Sequence, residues 1–129
     1  QMPDTLEQPS HRLMREVATS GPWASKLADA AGQRTEIASA SDYYSMLRPH
    51  CARVDVWRTT YHHPLADGAS GVVEWFKGSG LRPFLEPLEA GERAEFLQRY
   101  LAAIEQAYPA LEDGSVLLPF PRLFIVATR

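Results

Sequence analysis

Two strand-like runs must find partners in a chain that otherwise reads as helices. The first, Val54-Asp55-Val56-Trp57-Arg58-Thr59-Thr60-Tyr61, is rich in β-branched and aromatic residues, and Pro64 closes it. The second starts at Val116-Leu117-Leu118, is interrupted by Pro119 and Pro121, and resumes from Leu123 to Thr128. Strand peptide groups need hydrogen-bond partners, and two strands alone make a poor sheet. The chain is therefore expected to finish a larger sheet, begun by residues outside this sequence or by another chain. Met2-Pro3-Asp4 reads either as the end of such an earlier strand or as a start at Met2.

The helices follow from apolar spacing and punctuation. Pro9 suits a first helical turn, and Leu13, Met14 and Val17 form its stripe. Trp23, Leu27 and Ala30 form a second stripe that Gly32 stops. Residues 33–40 read as a loop, and Ser41 or Asp42 as the cap of a short helix carrying Tyr43, Tyr44 and Leu47. Asp67 is expected to cap a helix with Val72, Val73, Trp75 and Phe76. A connector punctuated by Pro83 and Pro87 leads to the strongest helix, residues 89–108. The aromatics Trp57, Trp75, Phe76 and Phe84 read as core.

Composition removes several function classes. Thirteen basic residues against sixteen acidic ones leave a formal charge of −3, which disfavours a broad grip on nucleic acid or on a membrane surface. No apolar run approaches the roughly 18 residues of a membrane span. The single cysteine, Cys51, suits a reducing, cytoplasmic setting. His62 and His63 are adjacent on a strand and point to opposite faces, so they do not make a metal pair. Gly78-Ser79-Gly80 follows a helix, unlike a phosphate-binding loop, and Gly68-Ala69-Ser70-Gly71 departs from a nucleophile elbow and reads as a capped loop with no strand turn before it.

One segment stands out chemically. Between Asp55 and Asp67 the chain carries Arg58, Tyr61, His62 and His63 and no carboxylate. In an acidic protein that is a local island able to receive an anion, with Arg58 offering a fork and Tyr61 and His62 single donors. Lys77 and Arg82 form a weaker second island, flanked by Glu74 and Glu86.

Several stretches together resemble the trans-aconitate 2-methyltransferases, which are class I S-adenosylmethionine-dependent methyltransferases. They are Met2-Pro3-Asp4 with Glu7-Gln8-Pro9-Ser10-His11 and Leu13-Met14-Arg15-Glu16-Val17, then Val54 to His63, and Glu74-Trp75. Gly80-Leu81-Arg82-Pro83-Phe84-Leu85 and Pro119 to Ala127 complete the match, which spares only the region near residues 20–40. The resemblance implies an α/β fold: residues 1–129 as the C-terminal, substrate-side portion of a Rossmann-like domain, mostly helical with two or three strands. In that fold the sixth strand, Val54 onward, runs parallel to its neighbours, and the last strand runs antiparallel between the fifth and the sixth.

The resemblance further implies methyl esterification of one carboxylate of a small tricarboxylate. S-adenosylmethionine is the cofactor of the intact enzyme, and none is expected bound to this portion, which lacks the family's glycine-rich turn. Arg58, Tyr61 and His62 are the expected holders of the acceptor, joined by His11 and Arg82. An exposed strand edge is expected to drive homodimerisation. The alternative is a non-catalytic helical module that self-associates and acts only by binding.

Overall fold

The computed structural model describes residues 1–33 and 36–129. The chain runs β1 (Met2–Pro3), α1 (Pro9–Ser20), α2 (Ala24–Gly32), α3 (Ala40–Leu47), a single 3-10 turn (Arg48–His50), β2 (Arg53–Leu65), α4 (Ala69–Lys77), α5 (Arg82–Leu85), α6 (Ala90–Ala107) and β3 (Val116–Thr128). The three strands form one sheet in the order β1-β3-β2. Strand β3 is antiparallel to both neighbours, with Met2 opposite Leu123 and Arg58 opposite the same Leu123 from the other side. The expected place of the last strand is borne out. One detail is corrected: the hydrogen-bonded neighbour of β2 is the antiparallel β3, so β2 shares only its direction with β1.

Prolines account for the other strand corrections. Pro119 and Pro121 do not interrupt β3, which is continuous from Val116 to Thr128. The Asp4 amide donates to the Pro121 carbonyl at 2.9 Å, so Pro121 turns its backbone toward β1. Alternation along an antiparallel ladder then turns the backbone of Pro119 the same way, and both prolines lack only donors that β2 does not need. Pro64 likewise lies within β2 rather than ending it, because its backbone faces the outer edge of the sheet.

Helix starts differ in small ways. The cap of α3 is Ser39, not Ser41 or Asp42. Its hydroxyl accepts from the Asp42 amide at 3.1 Å, and Asp42 Oδ2 accepts from the Ser39 amide at 3.2 Å. The loop expected over residues 33–40 therefore ends at Ser39, and its residues 34–35 lie outside the described residues. Gly68, with φ +66°, precedes α4 in place of Asp67. The connector after Gly80 contains the short helix α5.

Helices α1, α2, α4 and α6 and the near end of the sheet enclose the core. Trp23, Leu27, Val72, Leu81, Phe96, Tyr100, Ile104 and Leu118 are fully buried. Phe76 and Phe84 join this core as expected, but Trp57 and Trp75 remain 44% and 41% exposed. Trp57 lies at the end of the sheet that the helices leave open and stacks on Phe124 at 5.2 Å. Trp75 lies against His63 at the helix–sheet margin.

The start of α1 is held in an unusual way. Its N-cap, Gln8, gives no side-chain hydrogen bond, so the first-turn amides need other acceptors. The Tyr108 hydroxyl accepts from the Ser10 amide at 3.0 Å, and the Tyr100 hydroxyl donates to the Ser10 carbonyl at 2.8 Å. One peptide segment is thus gripped by two side chains from α6 and its C-cap, more than two helical turns apart in the chain. Burial, and secondarily the neighbouring Tyr108, pushes the Tyr100 phenol above its ordinary pKa near 10.

The sign of the pH effect follows. Above about pH 10 the unfolded chain releases the Tyr100 proton while the folded chain keeps it. Stability is full below that pH and falls as pH rises. Urea melts between about pH 9 and about pH 11 should show this loss, and Tyr100→Phe should flatten it. The same variant should cost about 0.5–1.5 kcal/mol at neutral pH, the net worth of one hydrogen bond, since the Ser10 carbonyl keeps its helical donor.

Candidate functional site

Alternation along β2 decides which side chains share a face. Register and pleat place Arg58, Thr60 and His62 on one face, together with Leu123 and Pro121 of β3 and Met2 of β1. Tyr61 projects from the other face, beside His63 at 6.2 Å and within the aromatic cluster of Trp75 and Phe120. Tyr61 and Arg58 therefore do not converge on one ligand.

Arg58 lines the largest groove among those described, about 700 Å³, between the exit of β1, the segment before α3, and β2. Its charge is not free. Asp4, carried to the same level by β1, accepts from Arg58 Nε at 2.6 Å and lies 2.5 Å from Arg58 Nη2, both through Oδ2. The island without carboxylates along the sequence thus acquires one from across the sheet. A single Asp4 oxygen takes one side of the guanidinium, and the Arg58 side chain stays 54% exposed. A guanidinium has five N–H donors, so Asp4 leaves donors of the terminal fork untaken on a side chain that lines the groove.

The rest of the groove is largely acidic. Glu7, Glu36 and Asp42 line it with Asp4, while Ser39 and Thr60 bring hydroxyls. Asp42 is committed to its helix cap: the Ser39 hydroxyl and amide hold its carboxyl below the usual range. Glu7 faces Arg15 at 3.6 Å. Arg58 is the basic residue lining this groove among the described residues. Asp4, Ser39 and Thr60 were not anticipated. Only the position of Asp4 directly after a strand-like Met2-Pro3 hinted at its role.

The remaining candidates lie elsewhere. His11 is buried. It hydrogen-bonds with the Ser10 hydroxyl at 3.1 Å and the Thr5 hydroxyl at 3.4 Å, and meets the edge of Phe76 at 4.9 Å. It borders a small cavity of about 160 Å³ beside Met14 and Gly80, separate from the Arg58 groove. Arg82 is exposed, faces Glu86 at 3.6 Å, and lines another surface groove with Ser79 and Pro83. His62 is exposed and lines none of these cavities. The structure does not bring the five residues together.

The segment Gly68-Ala69-Ser70-Gly71 needs correction on one point, since β2 runs to Leu65 and the segment does follow a strand. Its serine is still not a nucleophile. Ser70 Oγ donates to the Asp67 carbonyl at 2.8 Å. Gly68 is not a ligand cradle either: a Cβ there would lie 3.0 Å from the Gly114 carbonyl, so the space is already used by the chain. The turn from β1 to α1, Asp4 to Gln8, holds no glycine. Neither strand-to-helix turn fits a glycine-rich cofactor loop. No group of three or more His, Cys, Asp or Glu is placed to hold a metal among the described residues, and no described helix is long and apolar enough to cross a membrane.

Comparison with known proteins gives these elements a context. No family model matches the chain. Over all 129 residues it is 61% identical to the trans-aconitate 2-methyltransferase of Methylobacterium nodulans. The chain is a homologue of the trans-aconitate 2-methyltransferases. It is 56% identical over 127 residues to the proteins so named from Yersinia pestis (strain Pestoides F) and from Yersinia pseudotuberculosis (strain YPIII). It spans about half the length of these relatives, 50% of the first and 49% of the others. The expected resemblance is borne out, and the sheet with its antiparallel strand between two parallel ones is consistent with part of a Rossmann-like fold.

The Asp4–Arg58 pair sits at a half-exposed rim, where ion pairs contribute little. Asp4→Asn should therefore shift the unfolding free energy by no more than about 1 kcal/mol in urea melts. It should also speed modification of Arg58 by phenylglyoxal, read by mass spectrometry, because it loosens the guanidinium.

Proposed function

We propose that this chain supplies the acceptor side of an S-adenosylmethionine-dependent carboxyl methyltransferase, which esterifies one carboxylate of a small tricarboxylate such as trans-aconitate. The reading rests on one observation: identity of 56–61% to enzymes of that name along the whole chain. It is an enzyme of the cytoplasm on this reading, in keeping with the lone cysteine.

Bound methyl donor would supply an electrophilic methyl group, and the turns described here do not fit its glycine-rich loop. The work of this chain's residues is placement. An acceptor carboxylate is already ionised at neutral pH, so no general base is needed. Rate then depends on holding the attacking oxygen in line and close. The exposed fork of Arg58 suits a carboxylate that does not react, and Asp4 holds the guanidinium in a fixed plane while it does so. Gripping a spectator carboxylate positions the substrate without damping the nucleophile, as useful binding energy requires. The Thr60 hydroxyl adds a neutral donor, while that of Ser39 is spent on Asp42. The acidic groove walls repel any further negative charge, which favours an acceptor held at one carboxylate over one immersed at all three.

An enzyme that joins this chain to a cofactor-binding half tests the reading. Arg58→Ala should raise the acceptor KM about tenfold to a hundredfold, the range for a lost charge-assisted hydrogen bond, and should leave the donor KM within about twofold. Equal changes in both constants would remove Arg58 from the acceptor site. No methylation of trans-aconitate by the joined enzyme would remove the substrate.

A further inference from the structure

The outer edge of β2 carries an unusual combination. The strand is thirteen residues long, lies at the edge of the sheet, and has β3 on one side only. Because Pro121 faces β1, the neighbouring Arg122 faces β2, and its partner Thr59 faces back. The outward backbone groups therefore belong to Val54, Val56, Arg58, Thr60, His62 and Pro64. A long edge of this kind is a template for pairing. Beside it lie exposed aromatic side chains: Trp57 at 44% and Tyr61 at 43%.

We infer that β2 pairs with β2 of a second copy of this chain, antiparallel, about a two-fold axis at Thr59. The strand's own sequence selects both the occupant and the register. Faces are preserved and outward groups meet only if paired residue numbers sum to an even value. Centring on Thr59 sets Arg58 opposite Thr60 of the second copy and Val56 opposite His62, so their outward amides and carbonyls pair. On the other face Asp55 meets His63, Trp57 meets Tyr61, and Thr59 meets itself. Each is a favourable cross-strand combination: an acid with a hydrogen-bonding imidazole, two aromatics, and two hydroxyls. Trp57 already stacks on Phe124, and Phe120 is the cross-strand partner of Tyr61. The new pairing therefore extends these rows into aromatic bands that cross the dimer and cover both exposed rings. Centring one residue earlier sets Arg58 against Arg58. Centring one residue later takes Tyr61 away from Trp57 and sets Asp55 opposite Leu65. Pro64, lacking an N–H, falls at the outer end of the pairing, where only Val54 loses a partner.

The contact is tested on the whole 129-residue chain in solution. Light scattering after size exclusion should give twice the 14.4 kDa chain mass. The Thr59 pair is of the non-hydrogen-bonded kind, with Cα atoms about 4.5 Å apart, inside the range a disulfide spans. With Cys51→Ser as background, Thr59→Cys should form a cross-linked dimer under mild oxidation at least about tenfold faster than Arg58→Cys or Thr60→Cys. Thr60→Lys, which sets a lysine opposite Arg58, should weaken the dimer at least about tenfold while its circular dichroism spectrum stays that of the parent. A monomer mass at every concentration up to about 1 mM would overturn the inference. So would faster cross-linking through position 58 or 60, or a dimer that Thr60→Lys leaves intact with its fold unchanged.

Discussion

The hydroxyls of Tyr100 and Tyr108 on the Ser10 peptide are the contact on which the rest of the arrangement turns. Helix α1 begins without a side-chain cap, so its first turn has to borrow hydrogen bonds from the far part of the chain. Tyr108 accepts from the Ser10 amide in a buried site, where water offers no substitute, and Tyr100 adds a second donor to the Ser10 carbonyl. That grip places α1 against α6 and fixes the path from β1 into α1. The path carries Asp4 to the rim of the sheet, and Asp4 sets the orientation of Arg58. A bond made for folding thus reaches, through a few covalent links, the groove where an acceptor would lie.

Much of the fold is legible in the sequence because burial is periodic. Met14 and Val17 in α1, Trp23 and Leu27 in α2, and Phe96, Tyr100 and Ile104 in α6 are spaced as a helix needs to press one face inward. Prolines mislead for a definite reason. Pro119 and Pro121 look like breaks until one knows which way each backbone faces, and facing depends on the neighbouring strand, not on local sequence. The tryptophans mislead similarly. Trp57 has the volume of a core residue, but the sheet extends past the helices that would cover it.

The candidate site is less legible, since ligand-holding residues gather through pairing across the chain. The residues of β2 were visible as a group, yet strand alternation divides Arg58 and His62 from Tyr61. His11 is conspicuous in a sequence and proves to be an interior residue shared among Ser10, Thr5 and Phe76. Asp4 is inconspicuous and proves to be the nearest neighbour of the only arginine on the groove wall among the described residues. Fifty-four positions separate the two along the chain, and no local pattern carries that information.

The two prolines of β3 also govern where the first strand lets go. Toward β1, the backbone of Pro121 accepts from Asp4 and has nothing to give in return, and Pro119 has no donor to continue the ladder. The shared hydrogen bonding stops there, and the chain is released into α1 at a set height above the sheet. A missing hydrogen atom on an imide nitrogen thereby acts as a stop: the composition of one strand marks where its neighbour ends, beside the groove that Asp4 and Pro121 line.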